Sequence, residues 1–130
     1  MATGLALNNG LARLALLAIG GGGTAYDNTN ARILVGDDDT APVAAQTGIV
    51  GTPVADAMDA TFPTSPPVDR TLVFQATYAP AAITDEVKEI CVDNGAGSHE
   101  ALVRVVLDAT ETFTPAAGDI VRVSVSVPLS

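Results

Sequence analysis

Hydrophobic side chains recur along this chain with two different periods. Near the N-terminus Leu7, Leu11, Leu14 and Leu17 stand three or four apart, the spacing of one face of an α-helix. The spacing predicts a short helix over 9–19 with its leucine face on the core. Asn8 or Asn9 offers a side-chain oxygen to cap the first turn, and Gly10 weakens that turn. Gly20 supplies the left-handed residue that ends it. Gly20-Gly21-Gly22-Gly23 then reads as a flexible linker, and 26–30 as polar turn material.

Later the period becomes two. In Thr71–Tyr78, Leu72, Phe74, Ala76 and Tyr78 share one side and Thr71, Gln75 and Thr77 the other, the mark of a half-buried strand. The clearest alternation is 120–127, where Val121, Val123, Val125 and Val127 are interleaved with Arg122, Ser124 and Ser126. Arg32–Val35, Val87–Val92 and Leu102–Leu107 are further strand candidates, the last interrupted by Arg104. Asn94-Gly95 is a pair favoured in tight hairpins. Residues 36–70 show no period and read as long irregular loops; the three prolines between Phe62 and Pro67 suit an irregular connection. No helix is available to cross between parallel strands. The pattern predicts a mainly β, single-domain chain over 1–130: an antiparallel β-sandwich or small barrel, with one short N-terminal α-helix and a β-rich second half, 71–130. No repeat of 20–50 residues is evident.

Composition narrows the partners. The chain has 130 residues, 48% apolar and only 16% charged, against a usual ~25%. Such a surface leaves apolar area for another subunit to cover. Fifteen acids against six bases give a net charge of −9. A phosphate backbone or an anionic membrane would be repelled, so neither nucleic acid nor membrane is expected as a partner. Leu11–Ile19 is too short to span a bilayer and carries Arg13. It also lacks the basic leader and small-residue cleavage site of a conventional export signal, so the chain reads as soluble and not secreted that way.

Candidate chemistry is sparse. The four glycines follow a helix and precede no lysine, which is the wrong context for a phosphate loop. Asp37-Asp38-Asp39 and Asp27-Asn28-Thr29-Asn30 lack the alternating ligands, turn glycine and distal glutamate of a calcium loop. Cys91 is the single cysteine and reads as a small buried hydrophobe. His99 is the single histidine. Its neighbours Ser98 and Glu100 are adjacent only in sequence, within a turn, and make no catalytic triad on that ground. One His and one Cys exclude a cage of imidazole and thiolate ligands within one chain. No motif selects two carboxylates for hydrolysis. The expectation is no catalysis and no cofactor.

Several stretches resemble a group of small virion structural proteins of tailed bacterial and archaeal viruses. They are Asn9-Gly10-Leu11-Ala12-Arg13-Leu14, Ala31-Arg32-Ile33-Leu34-Val35-Gly36-Asp37 with Thr40-Ala41, Ala45-Gln46-Thr47, Ala57-Met58-Asp59-Ala60 with Phe62-Pro63, and Phe74-Gln75-Ala76-Thr77-Tyr78. Glu89, Val92 and Asn94, then Leu102-Val103-Arg104 and Val125-Ser126-Val127-Pro128-Leu129-Ser130, complete the set. Around Glu89 that group often carries an aromatic, where this chain has Ile90-Cys91-Val92. The resemblance implies a β-rich body, assembly in many copies and no catalysis.

Together these readings predict a capsid decoration (cement) protein that binds the outer lattice of the major capsid protein and stabilises it. It would assemble in the host cytoplasm, and copies of itself, in a trimer or other closed oligomer, would cover apolar area. The alternative is a tail, baseplate or tail-fibre-associated component. A secreted adhesion domain would need exposed aromatics or an export signal, and an unrecognised hydrolase a catalytic constellation. The segment 40–58 is the candidate partner surface, because Val43, Ile49, Val50 and Val54 need cover there.

Overall fold

Alternation of period two dictates the first layer. β4 (Thr71–Tyr78) and β7 (Val121–Pro128) pair antiparallel as a two-stranded sheet, with Phe74 opposite Val125 and Ala76 opposite Val123. Their inward side chains, Phe74, Ala76, Tyr78, Val123, Val125 and Val127, are all buried. The structure, a computed structural model, describes residues 3–65, 70–96 and 100–129.

The second layer is a five-stranded antiparallel sheet built from β1 (Thr3–Ala6), β2 (Arg32–Gly36), β3 (Val54–Ala57), β5 (Glu89–Asp93) and β6 (Val103–Val106), in the order β1-β6-β5-β2-β3. Ile33, Val35, Val92 and Val103 on its inner face join the β4–β7 residues in one core cluster. Tyr78 fixes the two sheets together: its hydroxyl lies 2.7 Å from the carbonyl oxygen of Ile33 and 2.8 Å from that of Val54. The expected antiparallel, mainly β architecture with one short helix is what the chain adopts.

The sheet is buried on its outer face too. Leu34, Cys91, Leu7 and Ala101 form a second, smaller cluster there, with Ile49 packed against it. This face lies under the segment 37–53, which lacks strand or helix yet is ordered by the contacts described below.

The N-terminal helix, α1 (Asn8–Ala18), begins one residue before the expected 9–19 and is not capped by an asparagine. Leu7 is the N-cap residue and makes no side-chain cap bond. Neighbouring backbone takes over that role: the Leu7 N–H donates to Leu102 O at 3.0 Å and the Asn8 N–H to Ala44 O at 2.8 Å. The helix ends as expected at Gly20, whose φ of 73° permits a Schellman closure. There the Gly21 N–H donates to Leu16 O and the Gly20 N–H to Leu17 O.

Two sequence expectations need correction, and one strand had no expectation at all. β3 falls inside the segment 36–70 read as irregular; it is a four-residue edge strand of small residues, too short to show a period. β1 was invisible for the same reason. Asn94-Gly95 does not close a tight hairpin, because β5 and β6 are joined by the longer connection 94–102. Asn94 is fully buried and acts as a strut, its amide donating to Thr24 O at 2.8 Å and Glu100 Oε1 at 2.9 Å.

Gly10 also has a different meaning from the one its helix propensity suggests. It is the buried residue of α1, and a Cβ placed there would collide with Ala101 O and the Leu102 Cα. The helix reaches the sheet only because this position has no side chain. Gly10→Ala is therefore expected to lower stability by roughly 1–3 kcal/mol or more, the cost of overpacking against backbone. Alanine's better helix propensity predicts the opposite sign, a gain of about 1 kcal/mol, so a urea melt of the variant separates the two.

Candidate binding surface

Two charged side chains inside apolar strands organise the candidate surface. Glu89 on β5 and Arg104 on β6 both point to the outer face of the five-stranded sheet and are both 0% exposed. Arg104 Nε donates to Glu89 Oε1 at 2.9 Å. Two charges taken from water need further partners to offset desolvation, and the segment 37–53 supplies them, mostly from its own backbone. Glu89 accepts from the N–H groups of Asp38 (2.9 Å), Val50 (2.8 Å) and Gly51 (2.8 Å). Arg104 donates to Thr40 O at 2.7 Å and to Gln46 Oε1 at 3.2 Å. Gly51 fits because a Cβ there would meet Glu89 and Asp37. Among the described residues no buried side-chain nitrogen or oxygen lacks a hydrogen-bond partner.

The ion pair thus nails an otherwise patternless segment to the sheet. The four valine and isoleucine residues singled out for partner contact divide into two kinds. Val43 and Val50 face solvent, 55% and 45% exposed. Ile49 packs on Leu34 and Cys91, and Val54 lies in β3 against the main core. Cover for Ile49 and Val54 therefore comes largely from this chain itself, so only Val43 and Val50 remain as the exposed part of that surface.

The acidic run is also put to structural use. Asp37 Oδ1 accepts from the Thr52 N–H at 2.9 Å, and Asp38 Oδ1 from the Thr40 N–H at 2.7 Å. Asp27 closes its own turn by accepting from the Asn30 N–H at 2.9 Å. No group of three or more His, Cys, Asp or Glu among the described residues is placed to hold a metal ion. Cys91 is buried, and burial pushes its thiol well above the ordinary range. His99 and Ser98 lie outside the described residues. Glu100 is described, and it pairs with Arg13 of α1, Nη2 to Oε2 at 2.8 Å. Arg13 also donates to Gly22 O at 2.8 Å, so the glycine run is tied to the helix it follows.

A second apolar feature was hidden in the leucine pattern. Leu14 and Leu17 pack against the main core, but Leu11 stays 44% exposed and Leu16 and Ile19 face solvent. Between α1 and the end of β7 runs an open groove of about 720 Å³, lined by Leu11, Leu14, Ala15, Leu17, Val127 and Leu129 among others, all without charge. The spacing of the leucines identified the helix face correctly, but it gave no sign that the sheet leaves part of that face uncovered. No helix among the described residues is long and apolar enough to cross a membrane.

No protein-family model, curated protein or solved structure matches this chain.

Two predictions follow from the polar contacts. Glu89→Ala leaves Arg104 buried without its counter-charge and is expected to cost roughly 3–5 kcal/mol. In that variant Cys91 should react with a thiol reagent in native buffer, whereas the wild-type thiol stays protected. The joint replacement Glu89→Leu with Arg104→Met should cost less than Glu89→Ala alone, read from the same denaturant melts.

The second prediction concerns acid. Hydrogen bonds from Arg13 hold the Glu100 carboxyl below the usual carboxylate range, and bonds from Gln75 do the same for Asp59. A value depressed by folding contributes stability above the unfolded value, and that stability is lost as pH falls through the folded value. Stability should therefore decline as the medium is taken into strong acid. The gap in melting temperature between wild type and Arg13→Met should narrow over the same range.

Proposed function

We propose that this chain is a virion structural subunit, a capsid decoration protein that binds the outer lattice of a major capsid protein and stabilises it. The observation that carries the reading is the segment 37–53. A loop that is uncharged beyond Asp39 is pinned by a buried ion pair while Val43 and Val50 are presented to solvent. A loop ordered before contact does not lose that ordering entropy again on binding. Repeated over a lattice, a modest contact of this kind becomes large through effective concentration. The resemblance of the sequence to small virion proteins supports the same assignment, and so does the acidic balance, which disfavours nucleic acid.

The reading is tested with emptied shells of the virus that encodes the chain. Val43→Glu and Val50→Glu should each reduce occupancy on the shell by about tenfold or more, while leaving the fold unchanged by circular dichroism. Unchanged occupancy in both would remove the loop from the contact. Copy number per particle, counted by quantitative mass spectrometry, should run to hundreds; a handful of copies would move the protein to the tail.

A further inference from the structure

Two Asn-Gly pairs occur in the sequence, Asn9-Gly10 and Asn94-Gly95. Such a pair carries its own chemistry. Once it has lost its proton, the backbone nitrogen of the glycine attacks Cγ of the asparagine, and no Cβ on the glycine hinders the approach. A C–N bond forms, the Cγ–Nδ2 bond breaks, and the amide nitrogen leaves as ammonia. Water then opens the five-membered imide at either carbonyl, which leaves aspartate or isoaspartate in place of asparagine. The reaction needs a free glycine N–H, a side chain able to turn onto it, and water.

The fold withholds all three at Asn94. The side chain is 0% exposed, and its amide nitrogen is spent on Thr24 O and Glu100 Oε1. Its Oδ1 accepts from the Ala96 N–H at 3.2 Å, so turning toward Gly95 breaks three hydrogen bonds. The Gly95 N–H donates to Asp93 Oδ1 at 2.9 Å, and Arg32 in turn holds both oxygens of Asp93 at 3.1 Å. A carboxylate is far too weak a base to strip a backbone amide, so this bond keeps the proton in place.

Neither residue of the pair is replaceable without cost. Gly95 has a φ of 73°, and a Cβ there would come within 2.7 Å of Asn30 O. Asn94 reaches Thr24 O and Glu100 Oε1 as a donor, whereas an aspartate at 94 presents only acceptors to the same two oxygens. Its carboxylate would lie at hydrogen-bond distance from that of Glu100 in a buried site, where like charges repel. Isoaspartate in addition routes the main chain through Cβ, lengthening it by an atom directly after β5.

We propose that Asn94-Gly95 is a latent self-modification site, locked while the chain is folded and released when it unfolds, whose acidic product the native structure no longer accepts. Unfolding that outlasts ring closure thereby becomes irreversible. Asn9-Gly10 lacks this consequence: Asn9 is exposed in the first turn of α1, which holds no acid, and a new carboxylate there is favoured by the helix dipole. The inference is independent of the virion reading, since it is read on the purified chain alone.

Peptide mapping by mass spectrometry tests the lock on the full chain, held at mildly alkaline pH in native buffer or in guanidinium chloride. Conversion at Asn94 should be roughly a hundredfold or more slower in native buffer, because several buried hydrogen bonds must break before the ring can close. Variants test the product. Asn94→Asp should melt well below wild type or fail to fold, whereas Asn9→Asp should match wild type or slightly exceed it. Adding Glu100→Gln to Asn94→Asp gives the new carboxylate a donor in place of a like charge, and should raise the melting temperature above that of Asn94→Asp or restore folding. Conversion at Asn94 as fast in native buffer as in denaturant, an Asn94→Asp chain as stable as wild type, or a double variant no better than Asn94→Asp would each overturn the proposal.

Discussion

A carboxylate and a guanidinium sealed between a sheet and a loop set the conditions for everything on the outer face of this protein. Glu89 and Arg104 sit in adjacent strands where their neighbours are valine, isoleucine and cysteine. Neither charge is tolerable there alone. Their mutual bond meets part of the need, and groups of 37–53, chiefly backbone with the Gln46 side chain, meet the rest, so the loop is ordered because the charges require it. A purely apolar outer face would have given the loop no directional reason to settle in one conformation. The polar pair converts a greasy lid into a defined shape, a role in specificity that buried polar groups play in some other folds.

The molecule divides its surface by the same logic. The pinned loop presents Val43 and Val50 to solvent and begins with Asp37, Asp38 and Asp39. Another face, made from the helix and the last strand, carries almost no charge and an open groove. Apolar area supplies most of the energy of association in water, and charge mainly chooses partner and orientation.

Much of the fold was legible before the structure. β4 and β7 declared themselves because one face of each is buried and the other is wet, which is the condition for a clean alternation. β2 and β5 were fainter, since both of their faces are covered and polar residues such as Glu89 no longer mark the solvent side. The order within 37–53 had no periodic pattern to read, because it rests largely on main-chain N–H and carbonyl groups that every sequence possesses, helped by the side chains of Asp37, Asp38 and Gln46. The only available signal was indirect: a lone base, Arg104, inside an apolar run, and an acid, Glu89, on a neighbouring strand candidate. Residue type was equally silent about which of Val43, Ile49, Val50 and Val54 would face outward. Gly10 and Asn94 misled for a common reason, their local preferences being overruled by a close approach and by a buried strut respectively.

The pairing of β1 with β6 joins Thr3 to Val106 and Ala6 to Val103. The strand at the start of the chain and the helix behind it therefore have no docking site until the chain beyond residue 100 is in place. Closing so large a loop is slow compared with forming a helix or a hairpin. Through that delay the leucines of α1 stay uncovered, which makes this helix the element most exposed to wrong encounters while the protein folds.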